Sequence, residues 1–282
     1  MLISIRQSVL AVCAAFIGTV ASGDVTLVSN TAAAGGPIGM TATSLVEYAS
    51  ERGIANIQLK DGQTATNYIP ALAEGKIDIA GGPFILPFKL SKGEGPFQSY
   101  GAEKGADLAN NIRLLYPFTL AVFTMYAYDA KGISGWDDLK GLKILNGPPR
   151  GAATQNSRAL LQVFGGLNSE KDYESVTVCW NQMASAIIDG TADAAVVPAT
   201  FPGPRVTQAS AAGAMTLYSI PKDAFESDIG KRLLNKPGSV AFAVPASEIQ
   251  DALGDGWSIK TEDDTFRAMA AVGGEYVNSR MD

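Results

Sequence analysis

The chain has 282 residues, a hydrophobic fraction of 46%, and 22 basic against 28 acidic side chains for a net charge of −6; it contains no histidine and two cysteines. The acidic balance excludes a nucleic-acid partner, which needs a basic face. The missing histidine excludes His-based triads, His metal sites and a His general base.

Residues 1–23 read as a secretory signal. Arg6 is their only charge, Ser8 to Val20 is an apolar run too short for a membrane span, and Ala21-Ser22-Gly23 offers small residues for cleavage. The mature chain is expected to begin near Asp24, and loss of Arg6 takes the net charge from −6 to −7. Cys13 lies inside the signal, but Val12 before it is not the small residue of a lipobox, so a soluble product is expected. Cys179 is then the single mature cysteine, which leaves no internal disulfide and no thiolate metal cluster. No later segment is long and apolar enough to span a bilayer.

In chain order, Val25 to Ser29 reads as a strand and Asn30 to Gly39 as a small-residue loop. Met40 to Arg52 has helical spacing. Ile57 to Leu59 is a strand. Thr64 to Glu74 is a helix with Thr64 as N-cap and Gly75 as its stop. Ile77 to Ala80 is a buried strand ended by Gly81-Gly82-Pro83. Phe84 to Asn111 reads as irregular, with short helices. Ile112 to Tyr116 and Phe118 to Tyr128 are two strands, the second crossing between lobes. Trp136 to Gly141 is a short helix and turn. Strand Lys143 to Leu145, helix Thr154 to Phe164, strand Val176 to Trp180, helix Gln182 to Asp189 and strand Ala194 to Val197 follow. Met215 to Ile220 and Ser239 to Val244 are strands. Thr261 to Asn278 reads as a closing helix with Asp263 and Asp264 near its positive end.

A sparse internal repeat organises this order. Gly36, Leu45, Ala71, Gly75, Asp78, Ala80 and Pro83 recur as Gly151, Leu160, Ala186, Gly190, Asp193, Ala195 and Pro198, always 115 residues apart. Strands alternating with helices predict parallel α/β sheets, whose ligands bind beyond the carboxyl ends of strands. The fold class expected is α/β with two lobes and a cleft between them.

Four loops are candidate ligand contacts. In the first, Asn30, Thr31, Gly35 and Gly36 bring exposed backbone to a helix start. In the second, Thr64 and Asn67 lie near one helix N-terminus, although capping alone accounts for Thr64. In the third, Arg150, Gly151, Ala152 and Thr154 place a permanent, bidentate-capable cation among small residues at a helix start. In the fourth, Phe201 is expected to wall the cleft, while Arg205 is expected to face solvent. Gly82, at its strand end, is assigned to the ligand face. Trp180-Asn181-Gln182 is a weaker candidate. Asp78 and Asp193 each start a strand after a helix-ending glycine, which points to a turn role and not to a catalytic pair.

These residues resemble the TAXI family, the extracytoplasmic substrate-binding proteins of TRAP transporters, from about Val25 to about Arg205. The resemblance rests on Asp138-Leu139-Lys140-Gly141, the Gly147-Pro148-Pro149 loop, the helix with Leu160 and Leu161, Thr64 with Asn67, and Gly190 to Ala195. The chain departs from the family pattern at Asn30-Thr31, Gln63 and Arg150-Gly151. The resemblance implies a type II periplasmic-binding-protein fold. Residues 24–120, joined by 216–282, would form lobe I and residues 121–215 lobe II. It further implies capture of a small carboxylate such as glutamate or 2-oxoglutarate, and delivery to TRAP membrane permease subunits. A periplasmic monomer without cofactor, metal or catalytic residue is expected. An ABC-transporter binding protein or a sensor subunit would have the same fold, and an enzyme would need an Asp, Glu, Lys or Tyr base.

Overall fold

The computed structural model describes residues 25–32, 36–149 and 152–281, with nothing given for the side chain of Ala152. The signal assigned to residues 1–23, together with Gly35, Arg150 and Gly151, lies outside the described residues.

The first half of the chain runs β1 (Thr26–Asn30), α1 (Pro37–Glu51), β2 (Asn56–Lys60), α2 (Ala65–Ala73), β3 (Ile79–Pro83), α3 (Ile85–Lys92), α4 (Gly101–Ala109) and β4 (Ile112–Tyr128). The second runs β5 (Lys143–Gly147), α5 (Ala152–Phe164), β6 (Glu174–Thr177), α6 (Met183–Ile188), β7 (Ala194–Ala199), α7 (Pro204–Ser210) and β8 (Met215–Tyr218). The chain closes with α8 (Lys222–Glu226), α9 (Asp228–Leu234), β9 (Ser239–Pro245), α10 (Ala246–Leu253), β10 (Trp257–Lys260) and β11 (Thr265–Asn278).

One sheet joins all the strands in the order β2-β1-β3-β11-β4-β7-β5-β6, with β8 also on β4, β10 on β8 and β9 on β11. The pairs β1–β2, β1–β3, β5–β6 and β5–β7 are parallel, as α/β crossovers require. The two long strands β4 and β11 run antiparallel to each other from Ile112 to Phe123 and connect the two parallel groups.

The repeat is visible in hydrogen bonds. The Asp78 carboxylate accepts from the Val28 N–H at 2.8 Å, and the Asp193 carboxylate accepts from the Lys143 N–H at 3.0 Å. Each aspartate's own N–H returns to the same partner's carbonyl. Val28 and Lys143 are offset by the same 115 residues as the aspartates. Gly75 and Gly190 both take left-handed φ, 71° and 76°, just past α2 and α6.

Each parallel group is covered on both faces. In the first, α1 packs Leu45 and Ala49 over Ile57 and Ile79, while Tyr68, Ile69 and Leu72 of α2 close the other face against Ala80 and Tyr276. In the second, Leu160, Leu161 and Phe164 of α5 cover Ile144 and Val196. On the opposite face Met183 and Ile187 pack with Leu145 and Val197. Residues of β8, α10, β10 and the first half of β11 enter these second-group cores, through Leu217, Ile249, Trp257 and Phe266. Only the end of β11, Gly273 to Val277, runs beside β3.

Five expectations are corrected. Thr261 to Asn278 is not a closing helix, since Thr265–Asn278 is the central strand β11. Both its faces are buried, which erases the alternation that marks a strand. Gly273 and Gly274 are the residues that a helix would have resisted. A Cβ on Gly274 would clash with Leu114 Cδ1. Asp263 caps no helix; it pairs with Arg267 of β11 through bonds of 2.7 and 2.8 Å. Ile112 to Tyr128 forms one strand, not two, and β3 continues through Gly81-Gly82-Pro83. Finally, α1 begins at Pro37, three residues before Met40, because proline at the first position presets the helical φ and has no N–H to lose.

Candidate functional site

A cavity opens between the first turn of α1 and the second parallel group. Its walls are Gly36 and Pro37 on one side, with the end of β7 (Val197 to Ala199), Thr200 and Gly203 to Val206 on the other; Tyr126 and Met183 also border it. Both sides lie where parallel strands end and the following helices begin, the place such sheets put ligands.

Arg205 is the cation of this cavity. It is half-buried, with its guanidinium 4.7 Å over the ring of Trp180 and an Nη1–H donated to Met183 Sδ at 3.3 Å. Among the described residues no carboxylate pairs with it. Burial disfavours its charge and pulls its pKa down, with the Tyr126 phenol a smaller opposing influence. Arginine keeps its proton despite that pull, so the cavity holds a partly desolvated positive charge. The expectation that Arg205 faces solvent is therefore corrected. Trp180 does not extend a strand; it opens a short turn of residues Trp180–Gln182 after β6 and remains 46% exposed, which leaves its ring free to carry the guanidinium.

The other candidates fall in several places. Gly36 lines the cavity. Asn30 ends β1 and Thr31 follows it; Asn30 is half-buried, Thr31 fully buried, and among the described residues Asn30 Oδ1 and Thr31 Oγ1 have no hydrogen-bond partner. Thr64 occupies the N-cap of α2, but its hydroxyl makes no capping bond; its carbonyl accepts from the N–H groups of Asn67 and Tyr68. Thr64 and Asn67 are exposed. Gly82 is buried in β3, and its carbonyl accepts from the Tyr276 hydroxyl at 3.3 Å. Thr154 is turned inward, where its hydroxyl donates to the Pro148 carbonyl at 2.7 Å and closes the loop onto α5. Phe201 is half-buried against the core around Val197 and Ala199. Ala152 is the first residue of α5.

Sequence reasoning passed over Pro37 and Met183 and assigned Arg205 to solvent. The available signal for Arg205 was Gly203-Pro204 directly after a buried strand, a helix start with an arginine in its first turn. Among the described residues no helix is long and apolar enough to cross a membrane, and no cluster of three acidic or cysteine side chains could hold a metal.

A search of curated proteins gave no match. Among solved structures, a TRAP periplasmic solute-binding protein from Desulfovibrio salexigens is similar with a TM-score of 0.51 at 12% identity, over 91% of this chain and 67% of that one. A TRAP periplasmic solute-binding protein from Chromohalobacter salexigens, with bound (S)-(+)-2-amino-1-propanol, has a TM-score of 0.43 at 14% identity over 91% and 69% of the two chains. The periplasmic aliphatic sulphonate-binding protein SsuA from Escherichia coli has a TM-score of 0.46 at 18% identity, and the match covers 68% of this chain but 58% of SsuA. The Desulfovibrio likeness shows the fold, a two-lobed periplasmic-binding-protein α/β architecture. The NMT1-like family matches residues 30–248, well over half of the sequence, and the chain belongs to that family.

Proposed function

We propose that this protein is a periplasmic solute-binding protein that captures a small organic anion, a carboxylate such as glutamate or 2-oxoglutarate, and hands it to the membrane subunits of a TRAP-type permease. The observation that carries this reading is Arg205: a half-buried guanidinium, oriented by Trp180, without a carboxylate partner among the described residues, and facing the first turn of a 15-residue helix across a cavity. A guanidinium and a helix N-terminus on opposite walls both favour negative charge between them. The TAXI resemblance and the TRAP-like fold support the partner. In this reading the cavity closes when the two parallel groups approach about β4 and β11, a hinge motion. Arg150 and Gly151, which precede α5 in the sequence, and Ala152, its first residue, would add a second anion contact. The lobes would be residues 24–120, joined by the end of β11 from Gly273, and residues 121–215, on whose cores β8, α10, β10 and the first half of β11 pack, and residues 1–23 would be removed on export.

A thermal-shift screen of the chain from Asp24 tests the reading. A ligand that binds only the folded state raises the melting temperature. A rise with 2-oxoglutarate, glutamate or another small organic anion supports it. A rise confined to amines or neutral sugars overturns it.

A further inference from the structure

Glu275 sits in β11 with its side chain fully buried. Across the sheet it faces Gly81 on β3 and Tyr116 on β4. The β1–β3 register pairs Ser29 with Ile79 and Asn30 with Ala80, so Thr31 and Gly81 are the next residues of the two segments. Ser29, Thr31 and Glu275 share the face covered by α1, because Leu27, Ile79 and Val277, each two residues along, pack against Leu45 and Ala49 of that helix. Among the described residues, both Glu275 carboxyl oxygens and both of these hydroxyls have no hydrogen-bond partner.

The carboxyl occupies the space that Gly81 leaves by having no side chain. A Cβ on Gly81 would stand 2.5 Å from Glu275 Oε1 and 2.7 Å from Ile38 Cγ2. Ile38 is the second residue of α1, and the two residues before it, Gly36 and Pro37, wall the cavity opposite Arg205. Glu275 therefore lies under the same helix turn that faces the proposed anion.

Among the described residues no lysine or arginine pairs with Glu275. A buried carboxylate without a cation is costly, so it keeps its proton; burial pushes its pKa up to about 8. The titratable groups around it are three phenols: Tyr68 of α2, Tyr116 of β4 and Tyr276 of β11. Burial first, and then the charge of Glu275, push all three upward, Tyr116 to about 12. They stay neutral where Glu275 titrates. The facing positions of α1, β1 and β3 are Ile38, Ser29 with Thr31, and Gly81, none of which carries charge.

The positive end of a helix stabilises negative charge beside it. An anion in the cavity and an ionised Glu275 beneath Ile38 would share that one end at close range. We propose that Glu275 is a proton-linked specificity residue of the cavity: with its proton on, it admits an anion beside the first turn of α1, and when ionised it repels that anion. This inference rests on the anion reading above. Its sign is fixed. Anion binding makes ionisation of Glu275 harder still, so binding takes up a proton near pH 8 and weakens as pH rises further.

The test is calorimetric titration of the chain from Asp24 with 2-oxoglutarate and with 1-butanesulfonate, neither of which titrates between pH 6.5 and 9.5. Each is run at both pH values, in wild type and Glu275→Gln. Wild type should lose about tenfold in affinity between the two, the size of a screened charge–charge interaction; the variant should lose less than about half that factor. Titrations at pH 8 in two buffers of different ionisation enthalpy should show proton uptake in wild type alone, and this wild-type measurement decides the matter if the variant does not fold. An affinity equal at both pH values with no proton uptake overturns the inference while leaving the anion reading in place. An affinity that rises with pH also overturns it, since Glu275 would then be pairing with a cation. Failure of both anions to bind at every pH, with no other small organic anion raising the melting temperature, brings down the anion reading itself, and this inference with it.

Discussion

The Arg205 guanidinium lies 4.7 Å from the centre of the Trp180 ring, so an exposed indole orients a half-buried charge at the cavity wall. The pair joins two segments far apart in sequence, the turn after β6 and the first turn of α7. A planar guanidinium stacked in this way loses little freedom when it binds a carboxylate, and a lysine ammonium could not reproduce the stack.

Trp180 should report on ligand capture. Trp136 and Trp257 are 3% and 6% exposed, against 46% for Trp180. Iodide quenching of tryptophan fluorescence therefore comes almost wholly from Trp180. Saturation with the cognate anion should reduce that quenching. Trp180→Ala should weaken binding about threefold, within the range of a partly exposed cation–π contact.

Gly81 should not tolerate a side chain. Gly81→Ala places a methyl group against Glu275 Oε1 and Ile38 Cγ2. It should cost about 1–3 kcal/mol in urea unfolding, as overpacking does. Adding Glu275→Ala should relieve part of that cost, and the coupling energy from the double-mutant cycle checks it. Simple additivity would mean that the two side chains do not share this space.

Asp193 should stabilise the second parallel group by holding the start of β5. Burial works against its ionisation, but the Lys131 ammonium at 2.7 Å and the Lys143 N–H at 3.0 Å outweigh it and hold the pKa below the usual aspartate value. A lowered folded-state pKa gives stability that is present above the unfolded value and lost as pH falls through the folded one. Asp193→Ala should therefore cost about 1 kcal/mol at pH 7, and the difference should shrink at pH 3. Urea midpoints of both proteins at the two pH values check this.

Much of the fold was legible because local chemistry repeats. Asp78 and Asp193 follow helix-ending glycines and precede buried strands, and the structure gives both the same bond to a strand 50 residues upstream. The long strand β11 was not legible. Its Phe266, Ala268, Met269 and Ala270 are all buried, so neither face shows as polar, and only tertiary pairing with β4, β3 and β9 makes it a strand. That hid Glu275, whose significance depends on Gly81 lying across from it. Arg205 was hidden for a different reason: nothing local to Pro204–Ser210 reveals that Trp180 and Met183 meet it from another part of the chain.

In the proposed complex, Arg205 holds an organic anion against the first turn of α1. Calorimetric titration of wild type and Arg205→Ala with the anion that raises the melting temperature most tests it directly, with circular dichroism to establish that the variant is folded. Wild type should show one site per chain and the variant an affinity more than about tenfold weaker, the loss expected for a charge-assisted hydrogen-bonded pair. A folded Arg205→Ala protein that binds the anion as tightly as wild type would contradict it.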